Sequence, residues 1–304
     1  MTNQCYITTE LELRKLLLLS INRILITTVL LIYIFLSSPA ASAQCKQADD
    51  NCVLTGQWHI STALGAGVLT NPLHGGENIP LVVLPYIHYY GEQFFIENNV
   101  IGYSLLQSED VILSVISQLN REKSFFTQWQ AKHLFIPTFS DTVNLQPEKE
   151  YVNQNEIKKR KWALDGGVQV NWFISDTIEL KAQLLHDINN VYQGFNSQLR
   201  LDKFISLSNN TRVNAAIGLN WQSQKLSNYY YGISPSDKVA VRSLYQAKSG
   251  SNPFISLNIR HQLSQHWQAQ FFIKREFLGS HISNSPLIQE SNISSAFVGV
   301  VYAF

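Results

Sequence analysis

Few residues in this 304-residue chain have the type and spacing to do chemistry. The best acid–base candidate is His186 next to Asp187. Both fall in a stretch whose apolar residues recur every second position. Neighbours on a strand point to opposite faces, so the two cannot form a catalytic dyad. G-x-S-x-G, H-E-x-x-H, C-x-x-C and a phosphate-cradling glycine loop are all missing from the sequence, which argues against a hydrolase or acyltransferase. The eight histidines show no metal-ligand spacing, so neither a metal nor a cofactor is expected. His59, His261 and His266 read as interior or interfacial side chains. What remains is a set of charges of both signs: Asp165, Glu179, Lys181, Arg200, Arg212, Arg260, Lys274 and Glu276. Each lies on the polar face of an alternating segment. Inside a closed sheet they would either pair into a plug or line a wet channel, and the sequence leaves both open.

The elements that must carry these charges are strands. From Trp162 to Trp172 the even positions are Trp, Leu, Gly, Val, Val, Trp, and the odd ones are Ala, Asp, Gly, Gln, Asn. The same period returns at Trp58–Val68, Ile178–Leu184, Val213–Trp221 and Ile255–Leu263. Alternation this long marks half-buried strands rather than helices. A soluble sandwich also alternates, but its strands are usually about five or six residues long. The tryptophans separate the two readings. Trp162 and Trp172 lie on one apolar face, roughly 33 Å apart at about 3.3 Å per residue. Tilted by about 45°, that is roughly 24 Å along a membrane normal, close to the apolar band of about 25 Å between the aromatic girdles of outer-membrane barrels. Trp58, Trp221 and Trp267 also end apolar faces and read as interface aromatics.

Composition agrees. The chain is 45% hydrophobic and 12% aromatic but only 15% charged, with mean hydropathy −0.06. Charge is replaced by neutral amides and hydroxyls, not by long apolar helices. A net charge of +1 gives no electrostatic case for nucleic acid. The fold class is therefore an all-β transmembrane antiparallel up-and-down barrel of about 12 strands. They are expected near 57–69, 79–91, 93–106, 109–120, 123–136, 159–173, 176–187, 191–206, 210–223, 252–263, 266–278 and 292–304. With both ends of the sheet facing the periplasm, the odd-numbered connections point outward. The long ones, 70–78, 137–158, 224–251 and 279–291, are all odd. The count is weakest near Pro85, Pro137 and Val239–Ala247.

At the N-terminus, Arg14, Lys15 and Arg23 precede the apolar run Ile24–Leu36, and Ala41-Ser42-Ala43 follows. These are the three parts of an export signal, assigned to residues 1–43. As a helix the apolar run is about 20 Å long, short of a roughly 30 Å bilayer core. Residues 44–56 then form a periplasmic segment, with the barrel at 57–304. Cys45 and Cys52 read as one small disulfide loop in an oxidising compartment, with two separate thiols as the alternative. A lipidated Cys45 is disfavoured because Gln44 intervenes after the small residue.

Several segments together resemble the MipA/OmpV family of outer-membrane proteins. They are Ala63-Leu64-Gly65-Ala66-Gly67, Leu84–Gly91 leading into Gln93-Phe94-Phe95, Ile101–Leu105, Asn228–Pro235, Leu278–Ile288 and the terminal Val301-Tyr302-Ala303-Phe304. The resemblance spans most of the chain after the signal and brings no catalytic residue with it. It implies residence in a Gram-negative outer membrane, with lipid around the barrel. It also implies a scaffold role between a murein-degrading lytic transglycosylase and a murein-synthesising penicillin-binding protein. The alternative is a narrow pore or small-molecule transporter. Tyr302 and Phe304 close the last strand in the manner of a signal for the barrel-assembly machinery. If the long loops face outward, only the short turns and Gln44–Gln57 reach the murein.

Overall fold

The computed structural model describes residues 55–127, 151–237, 239 and 244–304. Period-two hydrophobicity becomes one continuous antiparallel sheet. In chain order the strands are β1 (Trp58–Leu69), β2 (Ile79–Pro80), β3 (Val83–Tyr90), β4 (Phe94–Glu97), β5 (Val100–Gln107) and β6 (Val111–Leu119). After a long connection come β7 (Leu164–Ser175), β8 (Ile178–Asp187), β9 (Phe195–Ser208), β10 (Thr211–Gln222), β11 (Gly250–Gln262), β12 (Trp267–Phe277) and β13 (Asn292–Ala303). β13 returns to β1 in register from Ser61↔Ala303 to Leu69↔Ser295, so the sheet closes and has no outer edges. β2 and β3 both pair with β1 and are one stave broken at 81–82. The backbone stays bonded through that break, where Leu81 N donates to Gly67 O and Gly65 N donates to Val82 O. The barrel therefore has twelve staves.

The total of twelve is as expected, but two strands differ from expectation. The single strand expected over 93–106 is a hairpin, β4 and β5, turning at 98–99 with Asn98 at φ 54°. Asparagine tolerates this left-handed conformation, and Asn98-Asn99 is a signal for a two-residue hairpin loop. The strand expected over 123–136 is not found where the chain is described. Arg121–Phe126 is instead a 3-10 helix, capped by the Asn120 side chain, which accepts from Glu122 N. Residues 128–136 lie outside the described residues. One stave gained offsets one lost, so the odd connections still include every long one.

The short β4 explains how Pro85 fits within a strand. β3 meets β4 only from His88↔Glu97 to Tyr90↔Phe95. Among the described residues, Val83–Tyr86 thus has a strand partner on the β1 side alone. Ile87 N points to the β4 side, donating to Asn98 Oδ1 at 3.1 Å. Two residues away, Pro85 turns its missing N–H to that same unpaired flank, where proline costs no ladder bond.

The outward face is apolar and exposed, with Ile60, Leu64, Val168, Leu199, Ile217, Ile255 and Val298 uncovered. A contiguous apolar surface of this kind requires lipid rather than water. At one end the odd connections fold together into a cap with its own core, including Leu226, Tyr230, Tyr231, Ile282, Leu287 and Ile288. Each such buried side chain contributes roughly 1.5–3 kcal/mol. Hydrogen bonds knit the loops together: Asn71 Nδ2 donates to Phe125 O at 2.7 Å, Val152 N to Pro286 O at 2.9 Å, and Ser285 Oγ to Tyr231 O at 2.6 Å.

Candidate functional site in the capped interior

One densely bonded cluster of side chains inside the barrel lies just beneath the cap. Asn120 ends the rise of β6 and caps the 3-10 turn, which carries Arg121 and Glu122 into the interior. The Arg121 guanidinium donates to Glu276 on β12, and Lys274 Nζ lies 3.3 Å from the same carboxylate. Glu122 accepts from Gln222 Nε2 on β10 at 3.1 Å. It also accepts from the Tyr231 hydroxyl, which comes from α1 (Gln224–Tyr231) in the cap. This cluster ties the long connection, the cap helix and the opposite wall together. Burial pushes the Glu122 carboxyl above its ordinary range, against the pull of Arg121 and the Tyr231 hydrogen bond. Burial and the neighbouring Glu122 hold the Tyr231 hydroxyl well above its ordinary value. Burial alone would lower Arg121, but Glu276 and Glu122 outweigh it and raise it. The arrangement is a set of paired charges, the carboxylates buried and the Arg121 side chain partly exposed, which latches structure.

A second cluster folds the 188–194 connection inward. Asp187 accepts from Tyr192 N at 2.6 Å and Gln193 N at 2.8 Å. Asp165 accepts from Tyr192 OH at 2.6 Å, Asn120 Nδ2 at 2.7 Å and Asn196 Nδ2 at 2.8 Å. His186, by contrast, faces outward with its ring 4.5 Å from that of Phe195. His186 and Asp187 therefore point apart.

The eight charges expected to face inward stand in different company. Asp165 belongs to the second cluster, and Lys274 and Glu276 to the first. Arg200 donates through two nitrogens to Asp202, at 2.7 Å each. Glu179 accepts from Asn171 Nδ2. Lys181 stands opposite Arg200 across the β8–β9 pair. Arg212 and Arg260 stand opposite each other across β10 and β11 near the short-turn end. Together with Asn209, Asn210, Gln262 and Gln268 they line a cavity of about 270 Å³.

The interior is not polar throughout. Phe297 and Val301 on β13, with Phe272, Leu84 and Tyr86, fill one side of it. Glycines make room: the Phe297 ring lies where Cβ atoms of Gly65 and Gly299 would be, and the Phe95 ring lies where that of Gly102 would be. Phe297 covers Gly65 on the neighbouring β1 and Gly299 on its own strand, and Phe95 on β4 covers Gly102 on β5.

Trp162 and Trp221 sit toward the capped end, and Trp58, Trp172 and Trp267 toward the short turns. All five face outward and are 36–56% exposed. Tyr302 packs against Trp267 with ring centroids 4.9 Å apart and against Phe304 at 5.0 Å. Cys45, Cys52 and the expected signal at 1–43 lie outside the described residues.

Sequence reasoning missed Asn120, Arg121, Glu122, Tyr192 and Tyr231. Asn120-Arg121-Glu122 is a capping pattern, but the strand expected over 123–136 hid it. Nothing local marks Tyr231 as the partner of a glutamate 109 positions away.

Comparison with known proteins gives a family match over residues 64–304, described as "MltA-interacting protein MipA". A 24 kDa outer membrane protein of Pasteurella multocida is 24% identical over 57% of this chain and 72% of its own. The putative outer membrane protein YiaT of Escherichia coli is 24% identical over 80% of this chain and 90% of its own. The E. coli MltA-interacting protein is 21% identical over 81% and 90%. Among solved structures, an outer membrane channel of Pseudomonas putida is 10% identical, covers 86% of this chain and all of its own, and has a TM-score of 0.38.

Proposed function

The chain belongs to the MltA-interacting protein family and is an outer-membrane β-barrel, and from this premise we propose that it is a closed, non-enzymatic scaffold. In this reading it holds a murein-degrading lytic transglycosylase, and through it a penicillin-binding protein, at the inner face of the outer membrane. The observation that carries the reading is the cap. Tyr231 and Ile282 in its core are fully buried, and the Arg121–Glu276 contact ties it to the wall beneath. A folded cap over one end suits attachment better than conduction. Long connections of outer-membrane barrels face outward, which leaves the short turns and the stretch leading into β1 to meet the enzymes. The outward tryptophans form the two interface belts, and Tyr302 with Phe304 presents the assembly signal.

The name of one relative, an MltA-interacting protein, supports the choice of partner. Pull-down of the tagged barrel from detergent-solubilised envelopes should recover a lytic transglycosylase. Its repeated absence would remove the scaffold reading. Planar-bilayer recordings of the same preparation should be silent.

A second reading, a narrow pore, is favoured by one feature. The Arg121 side chain keeps 43% of its surface exposed beneath the cap, and charges of both signs continue down the wall. Steady unitary currents from the wild-type barrel would favour this reading.

A further inference from the structure

We infer that the basic run Lys158-Lys159-Arg160-Lys161, with the cavity that Arg160 lines, forms a binding site for the phosphorylated sugar head group of an outer-leaflet glycolipid. The cavity holds about 520 Å³ within the cap, and its lining includes Arg160, Asn228, Tyr229, Ser234, Asp237 and Tyr245. That volume is in the range of roughly 300–1,000 Å³ typical of small-ligand sites. The basic run frames it through its own backbone: Lys158 N donates to Asp237 Oδ1 at 3.0 Å, and Lys161 N to the Tyr229 hydroxyl at 2.9 Å. Arg160 is held between them. Its side chain is 10% exposed, its guanidinium carbon lies 5.7 Å from the Tyr229 ring centroid, and Nη2 donates to Gly232 O at 2.9 Å. Asp237 answers it only at 3.7 Å, because that carboxylate already accepts from Ser234 N and Ser234 Oγ at 2.8 Å each, and from Lys158 N. The Arg160 Nε is buried with no acceptor. A guanidinium in that state favours a further oxygen ligand, and the cavity is where one can enter.

Charge and position decide the kind of ligand. Between Tyr151 and Leu164 the chain sets four cations against one carboxylate, Glu156. Lys158, Lys159 and Lys161 are exposed and make no ion pair among the described residues. Lys123 adds a fifth cation: burial first, and then the nearby Lys159, hold its ammonium below the ordinary value. Lys123 Nζ also lies 5.9 Å from the Trp162 ring centroid. Trp162 follows the run directly, faces out from the wall and is 44% exposed. A tryptophan there marks the level where hydrocarbon meets head groups, so the cations stand at head-group height on the capped side. Long connections of such barrels face outward, so this is the outer leaflet, whose glycolipids carry phosphates on sugars. A phosphate on Arg160 and a second charge on the rim lysines would relieve the repulsion among these cations. A free anion could use the same cations but gives no reason to gather them beside a girdle tryptophan. The inference holds for a scaffold and a pore alike, since neither reading uses the outer rim.

The test is native mass spectrometry of the barrel, refolded free of native lipid in a non-ionic detergent. Three probes are titrated: bisphosphorylated lipid A, its dephosphorylated form, and inorganic phosphate. Wild type should take up the phosphorylated lipid saturably, and the dephosphorylated form at least tenfold more weakly. Excess inorganic phosphate should not displace the lipid. The triple change Lys158→Gln, Lys159→Gln and Lys161→Gln should weaken binding at least tenfold, and Arg160→Gln should do the same. Lys203→Gln should leave it unchanged, since Lys203 donates to Thr177 at the opposite, short-turn end. The triple variant alters exposed side chains only, so it carries the test if Arg160→Gln fails to give a heat-modifiable folded band. Four outcomes would each overturn the site: no saturable binding by wild type, equal binding of the two lipid forms, full displacement by inorganic phosphate, or a triple variant that binds as wild type does.

Discussion

Tyr231 is where a single atom matters most in this interior. Its hydroxyl donates to Glu122, a carboxylate buried among Arg121, Gln222 and the cap. Removing that donor leaves a buried acceptor short of a partner, which costs about 1–3 kcal/mol. Tyr231→Phe should therefore lower the unfolding free energy in urea by roughly that amount while leaving the strand content by circular dichroism unchanged. Ser285→Ala, which removes the hydroxyl donated to the Tyr231 carbonyl, should cost less, because that bond is uncharged. A Tyr231→Phe barrel as stable as wild type would show that Glu122 is held by Arg121 and Gln222 alone.

At the scale of elements, the closure of β13 on β1 depends on residues without side chains. A Cβ on Gly65 would lie 2.2 Å from Val298 O and 2.6 Å from Gly299 Cα, both backbone, and 2.8 Å from the Phe297 ring. Backbone atoms in a closed ladder cannot step aside as a flexible side chain can. Gly65→Ala should therefore strain the seam by more than the 1–3 kcal/mol typical of overpacking. The expected readout is loss of the heat-modifiable band on a gel. Gly102→Ala should be milder, since its nearest atoms belong to the Phe95 ring, which can rotate. An equal effect of the two changes would refute the distinction. The short β4 belongs to this scale as well. Asn98-Asn99 sets its length, and Pro85 lies on the flank that this leaves unpaired.

For the whole molecule, the two ends differ in kind: one bears folded connections with a shared core, and the other, among the described residues, only short turns. His281 sits in the cap, its ring pressed against Gly250 and Gly279 and its Nε2 buried without a partner. Burial holds its pKa below the ordinary 6.5, so the folded cap prefers the neutral ring. The unfolded chain then binds more protons in that range. Stability is full above about pH 6.5 and is lost as pH falls through the folded value. Amide hydrogen exchange over 223–237 and 278–291 should accelerate as pH drops through this window, after correction for intrinsic rates. In His281→Phe the extra acceleration should vanish. If it persists, the acid sensitivity of the cap lies elsewhere.

The period-two pattern was enough to establish strands, a lipid-facing wall and a closed sheet; the total of twelve agrees because the split of 93–106 into two strands offsets the strand not found at 123–126. A residue's face on a strand follows from its parity alone. Parity also separates His186 from Asp187. Residues 123–126 depart from the strand expected to begin there because the helical turn over Arg121–Phe126 is set by the Asn120 cap and by burial under the cap rather than by hydrophobic period. Which charges meet was decided only by tertiary structure. Arg121 reaches Glu276 across 155 positions and Tyr231 reaches Glu122 across 109, distances over which a chain carries no local signal. Arg212 faces Arg260 because of the register between two strands. The same holds for the cap: its apolar residues lie in five separate connections, and only closure of the sheet brings those connections over one end.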